Sequence, residues 1–293
     1  DFQVFDTENP ACSVESVPVS VNDRTRFIYE AACCGLRDFF VKNGYKKACV
    51  GVSGGIDSAV VACLAVAALG AENVRGLMMP SQFSSEGSVE DAKQLAENLG
   101  IEFHVVPITE AYRSIVDTLI PVIGGTDFDA TEENIQSRIR TLMLMALQNK
   151  NGYVLLNCSN KSENALGICT LYGDTGGAFS VTGDLYKTEM YDLARYINRK
   201  FGAPIPENIL TKEPSSELRP NQKDSDMLPS YEVVDAILYR LIEDGQSREE
   251  IINAGFDSDE VQKIYAMVMR NEKKRFQYPP VLRLSSSSFG HEY

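Results

Sequence analysis

Three short apolar runs recur along the chain at intervals of about 28 residues, with segments of helical periodicity between them. The runs cover Lys46–Val52, Val74–Pro80 and Ile101–Pro107, and the helical segments cover Ser58–Leu69 and Ser88–Leu99. This alternation predicts βαβ units, because neighbouring parallel strands need a crossover that a helix usually supplies. Continuous apolar runs are typical of strands that are buried on both faces. The sequence therefore predicts an α/β fold with a Rossmann-like, doubly wound parallel sheet.

Further elements extend this pattern toward both ends of the chain. The periodicity predicts a fourth strand at Tyr153–Ser159 and helices at Asp23–Val41, Glu132–Lys150, Thr188–Phe201, Tyr231–Glu243, Ser247–Ala254 and Asp257–Phe276. In the long helix, the predicted apolar stripe consists of Ile135, Ile139, Leu142 and Ala146. Residues 1–22 are expected to be an extended lead-in, residues 23–293 the domain with a C-terminal helical extension, and the Pro-rich residues 203–228 a surface excursion.

Charge and cysteine content restrict the function classes. The 293 residues include 28 Lys and Arg against 41 Asp and Glu, so the formal net charge is −13. Such a chain is not expected to bind nucleic acid or anionic membrane surfaces, and no apolar run is long enough to span a membrane. Seven cysteines without a CxxC pair, and only two histidines, predict free thiols in a reducing cytoplasm and no zinc site. The start at Asp1 rather than Met suggests a fragment of a longer chain.

The sharpest local signal lies between the first predicted strand and the helix that follows it. Gly54 and Gly55 allow the backbone to approach a ligand closely, and the hydroxyls of Ser53 and Ser58 are suited to donate to phosphate oxygens. The helix begins here, so its free N–H groups and positive dipole end face the same point. Asp57 would repel a phosphate unless a cation lies between them, which predicts Mg²⁺.

A simpler explanation of this loop stays open at the level of sequence. Gly-Gly is also suited to a tight strand–helix turn in which Asp57 or Ser58 only caps the helix. The loop lacks the Lys of the GxxxxGK[ST] motif and does not match GxGxxG, so neither of those phosphate-binding motifs applies.

The loop resembles the SGGxDS loop of the ATP pyrophosphatase (PP-loop) superfamily. In that superfamily the loop binds the pyrophosphate end of ATP while the α-phosphate is attacked. Four further segments occur in order and carry a narrower resemblance: Glu133–Arg140, Asn157–Glu163, Leu171–Asp174 and Lys212–Pro220. Together they resemble the NAD⁺ synthetase family, and specifically the synthetase portion of its glutamine-dependent form, from about Thr25 to Tyr293. This resemblance implies an adenine nucleotide alpha hydrolase-like sheet.

The family reaction implies ATP, nicotinate adenine dinucleotide (deamido-NAD) and ammonia as substrates, with Mg²⁺ as cofactor. An acyl-adenylate forms on the pyridine carboxylate with loss of pyrophosphate, and ammonia then displaces AMP to give NAD⁺. The resemblance also implies a homodimer or higher oligomer with the dinucleotide site shared across it, and a separate glutaminase domain in the full-length chain.

The same resemblance implies roles for individual residues. Those expected to bind ATP or pyrophosphate are Ser53, Gly54, Gly55, Asp57, Ser58, Cys158, Lys187 and Ser215. Those expected to contact deamido-NAD are Asn134, Arg138 and Asp174. Asp57 and Glu163 are the expected metal ligands, and Asp174 and Lys187 the expected catalytic residues. Cys158 departs from the family pattern, which usually has Thr there, and a thiol is the weaker hydrogen-bonding group.

Plain structural explanations remain for several of these side chains. Glu163 could be a helix-start acid, Lys187 a solvated lysine, Asp174 and Ser215 turn residues, and Arg138 part of a solvated helix face. Other functions also remain open: GMP synthetase, a tRNA-acting member such as lysidine synthetase or a thiolation enzyme, and a non-catalytic adenine-nucleotide-binding module. The absence of a basic face and of a CxxC pair weighs against the tRNA enzymes.

Overall fold

A parallel four-stranded sheet lies at the centre of the computed structural model, which describes residues 24–125 and 127–289. The strands are β1 (Lys47–Gly51), β2 (Val74–Met78), β3 (Glu102–Val105) and β4 (Tyr153–Leu155), in the order β3-β2-β1-β4. Every pair is parallel. The chain adds β2 and β3 on one side of β1 and then returns to add β4 on the other side, so the strand order reverses in the sheet between β1 and β4.

Twelve α-helices accompany the sheet in the described residues. They are α1 (Arg24–Lys42), α2 (Ile56–Leu69), α3 (Glu86–Leu99), α4 (Thr109–Ile123), α5 (Ala130–Asn151), α6 (Lys161–Leu166), α7 (Lys187–Phe201), α8 (Glu207–Thr211), α9 (Tyr231–Ile242), α10 (Arg248–Asn253), α11 (Ser258–Arg270) and α12 (Glu272–Arg275). None of the described helices is both long enough and apolar enough to cross a membrane.

Both faces of the sheet are covered, which confirms the doubly wound prediction. One face packs against α1, α2, α3 and α7, and the other against α4 and α5. The sequence of α2 is apolar nearly all round, because this helix contacts the sheet, α1 and α7 at once. On the same face, Phe39 of α1 stacks on Phe179 with ring centroids 4.4 Å apart.

The C-terminal helices form a third apolar cluster with α6, as the predicted helical extension requires. Leu166 of α6 packs with residues of α9 and α11, including Leu238 and Ile264. The short α6 is therefore held by the extension, and it also contacts α7. It is the first helix after β4 in the chain.

A fully buried ion cluster lies between α6 and the end of the chain. The ammonium group of Lys161, which is 0% exposed, lies 2.9 Å from Asp184 Oδ1 and also pairs with Glu243. Lys161 Nζ donates in addition to Ser285 Oγ at 2.8 Å and to the carbonyl oxygen of Ser287 at 2.6 Å. Two carboxylates and two neutral acceptors thus replace the water that the ammonium group loses on folding.

Several sequence predictions need correction. The helix α4 was not predicted, since its apolar pattern is interrupted by Pro121 and buries only Tyr112 fully. Leu142 is 65% exposed and does not belong to the apolar stripe of α5, where Leu144 is buried instead. The predicted strand at Tyr153–Ser159 ends at Leu155, and beyond it Leu156 forms only an isolated bridge with Phe179.

Two further predictions differ from the structure near the C-terminal half. The predicted helix Asp257–Phe276 is two helices, because α11 ends at Arg270 and Asn271 is both the C-cap of α11 and the N-cap of α12. The stretch 203–228 is not only a surface excursion, since it contains α8 and buries Ile205 and Ile209 in the main core. The lead-in predicted for residues 1–22 lies outside the described residues.

The Lys161 cluster generates a stability prediction. Lys161→Ala should lower the free energy of unfolding by about 3–5 kcal/mol, because it leaves Asp184 and Glu243 buried without their counter-ion. Lys93→Ala is the matched control: Lys93 pairs with Glu90 at 3.8 Å on the exposed side of α3, and its loss should cost less than about 1 kcal/mol. Urea denaturation measures both variants, and similar small losses for the two would contradict the structural role of the cluster.

Candidate active site

A cavity of about 320 Å³ opens at the carboxyl ends of β1, β2 and β4. It lies where the strand order reverses, which is where open α/β sheets bind their ligands. The apolar part of its wall comes from the strand ends and α5, including Leu77, Met79 and Leu144. The polar part comes from the loop after β1, the residues after β4 and the segment that follows α8.

The loop after β1 has the backbone of a ligand cradle rather than of a capped helix. Gly54 has φ +80°, a conformation that side chains disfavour. Gly55 is the N-cap of α2, and within the described residues no side chain caps the free N–H groups of the first turn. Asp57 and Ser58 therefore do not cap α2 there, and Ser58 Oγ instead donates to the carbonyl oxygen of Gly55 at 3.0 Å. These N–H groups and the helix dipole remain directed at the cavity.

The two serines of this loop hold its shape. The backbone N–H of Ser53 donates to Ser58 Oγ at 3.1 Å, and the two hydroxyl oxygens are 3.1 Å apart. The N–H of Gly55 donates to Ser53 Oγ at 3.2 Å. Both hydroxyls line the cavity, so each is available to a ligand while it keeps the loop tight.

A charged triad of Asp57, Glu163 and Lys187 lies beside the loop. Lys187 Nζ is 2.6 Å from Asp57 Oδ2 and 3.2 Å from Glu163 Oε1, and the lysine side chain is only 4% exposed. The two carboxylates come from α2 and α6 and the lysine from the first turn of α7. Lys187 is therefore not a solvated surface lysine, and the cation that faces Asp57 in this structure is a protein side chain.

Burial and mutual charge shift the pKa values within the triad. Burial raises the pKa of Glu163 to about 7, the charge of Asp57 adds to the increase, and Lys187 opposes it. Burial alone would lower the pKa of Lys187, but the charges of Asp57 and Glu163 outweigh it and hold this pKa well above its usual range. Lys187 therefore stays protonated beside the loop of residues 53–58, which carries its partner Asp57.

Asn160 connects the triad to α6 and was not singled out in the sequence. Its Nδ2 donates to Asp57 Oδ1 at 2.9 Å, while its Oδ1 accepts the N–H of Glu163 at 3.0 Å and so caps α6. One fully buried amide therefore fixes both carboxylates relative to each other. An Asn three residues before a Glu is a helix-start signal, and this could have identified Asn160.

Asp174 also lines the cavity, in a turn after α6. Its Oδ1 accepts the N–H of Thr170 at 2.6 Å, and its own N–H donates to Ser137 Oγ at 3.0 Å. The surrounding protein displaces water from the carboxylate and raises its pKa to about 6, although the hydrogen bond from Thr170 acts in the opposite direction. This places a weakly basic carboxylate at the same cavity as the triad.

Most of the predicted site residues share this one cavity. The lining includes Ser53, Gly55, Asp57, Ser58, Cys158, Glu163, Asp174, Lys187 and Ser215. Burial raises the pKa of the Cys158 thiol, which keeps it neutral and a weak donor. Gly54 is the loop residue that does not line the cavity, and it lies against Ser88 instead.

Asn134 and Arg138 lie on α5 and do not line the cavity. Asn134 Oδ1 accepts from Thr170 Oγ1 at 2.6 Å, and the exposed Arg138 donates from Nε to the carbonyl oxygen of Leu171 at 3.2 Å. Both side chains contact the segment Thr170–Asp174, and neither lines the cavity itself. Their predicted contact with deamido-NAD stays a prediction.

Three further cavity residues were missed as individual candidates. Arg140 is half-buried, and its Nε donates to the carbonyl oxygen of Met79 at 2.9 Å. Within the described residues it has no carboxylate in ion-pair range, and burial lowers its pKa to about 10. Lys212 and Glu217 flank Ser215 and attach to α3. The sequence analysis noted the segments that contain these three residues. It could not show that their side chains reach the cavity, because that depends on tertiary contacts and not on residue spacing.

Comparisons with known proteins agree with this geometry. A family model described as NAD synthase matches residues 28–278. The chain is 52% identical over 266 residues to a glutamine-dependent NAD(+) synthetase of Aquifex aeolicus, covering 91% of this chain and 47% of that protein. The chain thus spans about half the length of this relative.

Two solved structures are also similar. One is a glutamine-dependent NAD⁺ synthetase from Acinetobacter baumannii in complex with ADP, with 40% identity, a TM-score of 0.65, and coverage of 94% of this chain and 49% of that one. The other is an NH3-dependent NAD synthetase from Campylobacter jejuni, with 30% identity, a TM-score of 0.68, and coverage of 88% and 99%.

The close packing of Gly54, in the loop after β1, leads to a testable prediction. In Gly54→Ala the new Cβ would lie 2.2 Å from the carbonyl oxygen of Ser88 and would keep an unfavourable positive φ. Calorimetry should show ATP affinity reduced by about tenfold or more, because the loop or α3 must shift. Gly100→Ala is the control: it has φ +66° but no neighbour within 4 Å, so it should lose about 1–2 kcal/mol of stability and keep its ATP affinity. Equal ATP affinity in the two variants would refute the close-approach argument.

Proposed function

Since the chain belongs to the NAD synthase family, we propose that its cavity adenylates the pyridine carboxylate of deamido-NAD with ATP and then converts the acyl-adenylate to NAD⁺ with ammonia. One observation carries the proposal: three features line the same cavity. They are the start of α2 at the glycine loop, where no side chain of Gly55 caps the helix, the ion triad of Asp57, Glu163 and Lys187, and the carboxylate of Asp174. The first two suit phosphoryl chemistry, and the third suits an amine nucleophile.

In the first half-reaction, a carboxylate oxygen of deamido-NAD attacks the α-phosphorus of ATP. The bond from that phosphorus to the bridging oxygen breaks, and pyrophosphate leaves with the electron pair. The loop N–H groups and Ser53 and Ser58 hold the leaving pyrophosphate. Lys187 would stabilise the negative charge that accumulates there, because the triad already places its ammonium group beside the loop.

The donor set fits Mg²⁺, which takes one or two carboxylates together with phosphate oxygens. Asp57 and Glu163 would hold it, and bound Mg²⁺ would reduce the repulsion between the triphosphate and the attacking carboxylate. No cluster of three or more His, Cys, Asp or Glu suited to a metal occurs among residues 24–125 and 127–289. Phosphate oxygens and water would complete the octahedral shell of Mg²⁺.

In the second half-reaction, the nitrogen of ammonia attacks the carbonyl carbon of the acyl-adenylate. The bond to the AMP oxygen breaks, AMP leaves, and one proton is lost from nitrogen. Asp174 is suited to accept a proton from ammonium, because its pKa of about 6 leaves it ionised at neutral pH but more basic than an ordinary aspartate.

The assembly and location are part of the same proposal. We assign Asn134 and Arg138 to the dinucleotide, reached across a homodimer in which α5 lies at the interface. The glutamine-dependent relatives support ammonia delivery by a glutaminase domain in the full-length protein. The free cysteines support a cytoplasmic location. The family match favours this function over GMP synthetase, and the fixed triad favours catalysis over a non-catalytic nucleotide module.

A product assay tests the function. The protein is mixed with ATP, Mg²⁺ and deamido-NAD, with and without ammonium, and AMP, pyrophosphate and NAD⁺ are quantified. We expect NAD⁺ and AMP in equal amounts when ammonium is present. No ammonium-dependent NAD⁺, or no AMP release with deamido-NAD, would refute the proposal.

The variant Asp174→Asn, in the same assay under single-turnover conditions, tests the role of the Asp174 carboxylate as proton acceptor. The amide cannot accept a proton, so amide formation should slow by roughly 10²-fold or more while pyrophosphate release changes little, and the acyl-adenylate should accumulate. In the wild type the amidation step should also slow as pH falls through about 6, since Asp174 is then protonated. Failure of the intermediate to accumulate would exclude Asp174 as the proton acceptor.

A further inference from the structure

The helix that carries Lys187 begins without a cap of its own. Its N-cap residue is Tyr186, whose side chain accepts no hydrogen bond from the first turn of α7. The first N–H groups of any helix lack acceptors within the helix, so they need partners from elsewhere. Because Lys187 is buried, side chains of other elements must supply those partners.

Two other helices supply the missing acceptors. The backbone N–H of Lys187 donates to Ser162 Oγ of α6 at 2.9 Å. The backbone N–H of Thr188 donates to Asp235 Oδ2 of α9 at 2.8 Å. Ser162 Oγ in turn donates to Asp235 Oδ1, so the two capping side chains are bonded to each other. The start of α7 is therefore fixed jointly by α6 and α9.

This capping pair is removed from water. Ser162 and Asp235 are both buried. Burial raises the pKa of Asp235, and the hydrogen bonds from Ser162 and Thr188 oppose that increase. A buried polar group that loses its partner has no water to replace it, so removal of one member leaves the others unsatisfied. The pair is thus suited to hold the start of α7 in one position.

The same face of α9 also reaches the ammonium group of Lys187. Lys187 Nζ lies 5.4 Å from the centroid of the Tyr231 ring, within the range of a cation–π contact. Tyr231 and Asp235 are four residues apart in α9, so their side chains leave the helix on one face. This face therefore contacts the lysine at its ammonium group and the helix start beside its backbone.

We propose that Asp235 is a positioning residue that, together with Ser162, fixes the start of α7 and so places the ammonium group of Lys187 for the departure of pyrophosphate. This rests on the proposed function, in which Lys187 stabilises the leaving group. A helix start that is free to move carries Nζ with it, and a displacement of about 1 Å is enough to slow a reaction strongly. Amide formation, which uses Asp174, does not depend on this placement.

Three variants and one control test the proposal. Asp235→Ala removes both hydrogen bonds of the carboxylate, and Asp235→Asn keeps an acceptor for the N–H of Thr188. Ser162→Ala removes the acceptor for the N–H of Lys187. Asp257→Ala is the control, because Asp257 caps α11 in the same C-terminal extension and its hydrogen bonds are to the first turn of α11 itself. Pyrophosphate release and amide formation are measured in single turnovers, and melting temperatures are recorded.

We expect pyrophosphate release to be roughly tenfold slower in Asp235→Ala and in Ser162→Ala, with amide formation from the acyl-adenylate unchanged. Asp235→Asn should recover most of the rate, since Asn caps a helix about as well as Asp, and Asp257→Ala should match the wild type. If Asp235→Ala does not fold, Ser162→Ala carries the same test. A lower melting temperature with wild-type pyrophosphate release would mean that the pair only stabilises α7, and would overturn the proposal.

ATP affinity, measured by calorimetry, separates this proposal from the proposed function. Asp235→Ala should lower the affinity severalfold in the wild-type background but not further in a Lys187→Met background, because its effect passes through the ammonium group. Equal losses in the two backgrounds would overturn the positioning role. If the wild type binds ATP but makes no NAD⁺, the proposed function fails, and this comparison still decides whether Asp235 positions Lys187.

Discussion

The ion triad of Lys187 with Asp57 and Glu163 is the interaction on which the site depends. Three elements that are distant in sequence contribute to it, and its ammonium group is almost removed from water. A single buried charge would be strongly unfavourable, so each member requires the others to be in place. Asn160 completes the arrangement by bonding Asp57 and capping α6. The triad therefore forms only when α2, α6 and α7 are correctly assembled, and it holds an ammonium group beside the loop of residues 53–58.

The position of the triad follows from the topology of the sheet. Reversal of the strand order at β1 leaves a crevice between β1 and β4, and the segments after both strands meet there. The C-terminal helices pack on α6, which carries Glu163. The buried Lys161 cluster also connects α6 to Ser285 and Ser287. The triad thus places one ammonium group at the cavity of an acidic chain whose net charge is −13.

Much of the fold and site could be predicted because the signals are local. Apolar runs and helical periods gave the βαβ order, and the spacing around the glycine loop located Ser53 to Ser58. The length of α4 and the end of β4 could not be predicted, since they depend on packing that overrides weak periodicity. Asp57 led to a prediction of a metal cation, whereas Lys187 is the cation that the structure itself provides. The places of Arg140, Lys212 and Glu217 at the cavity could not be predicted, because they depend on how α3, α5 and the segment after α8 pack together.

Transfer of an oxygen label tests the central claim, that one cavity activates a carboxylate on the α-phosphate and then delivers it to ammonia. The protein is supplied with ATP, Mg²⁺, ammonium and deamido-NAD that carries ¹⁸O in its pyridine carboxylate, and the AMP is analysed by mass spectrometry. Attack of the carboxylate on the α-phosphorus predicts one ¹⁸O atom in the phosphate of AMP for every NAD⁺ formed. Formation of NAD⁺ together with unlabelled AMP would contradict the account.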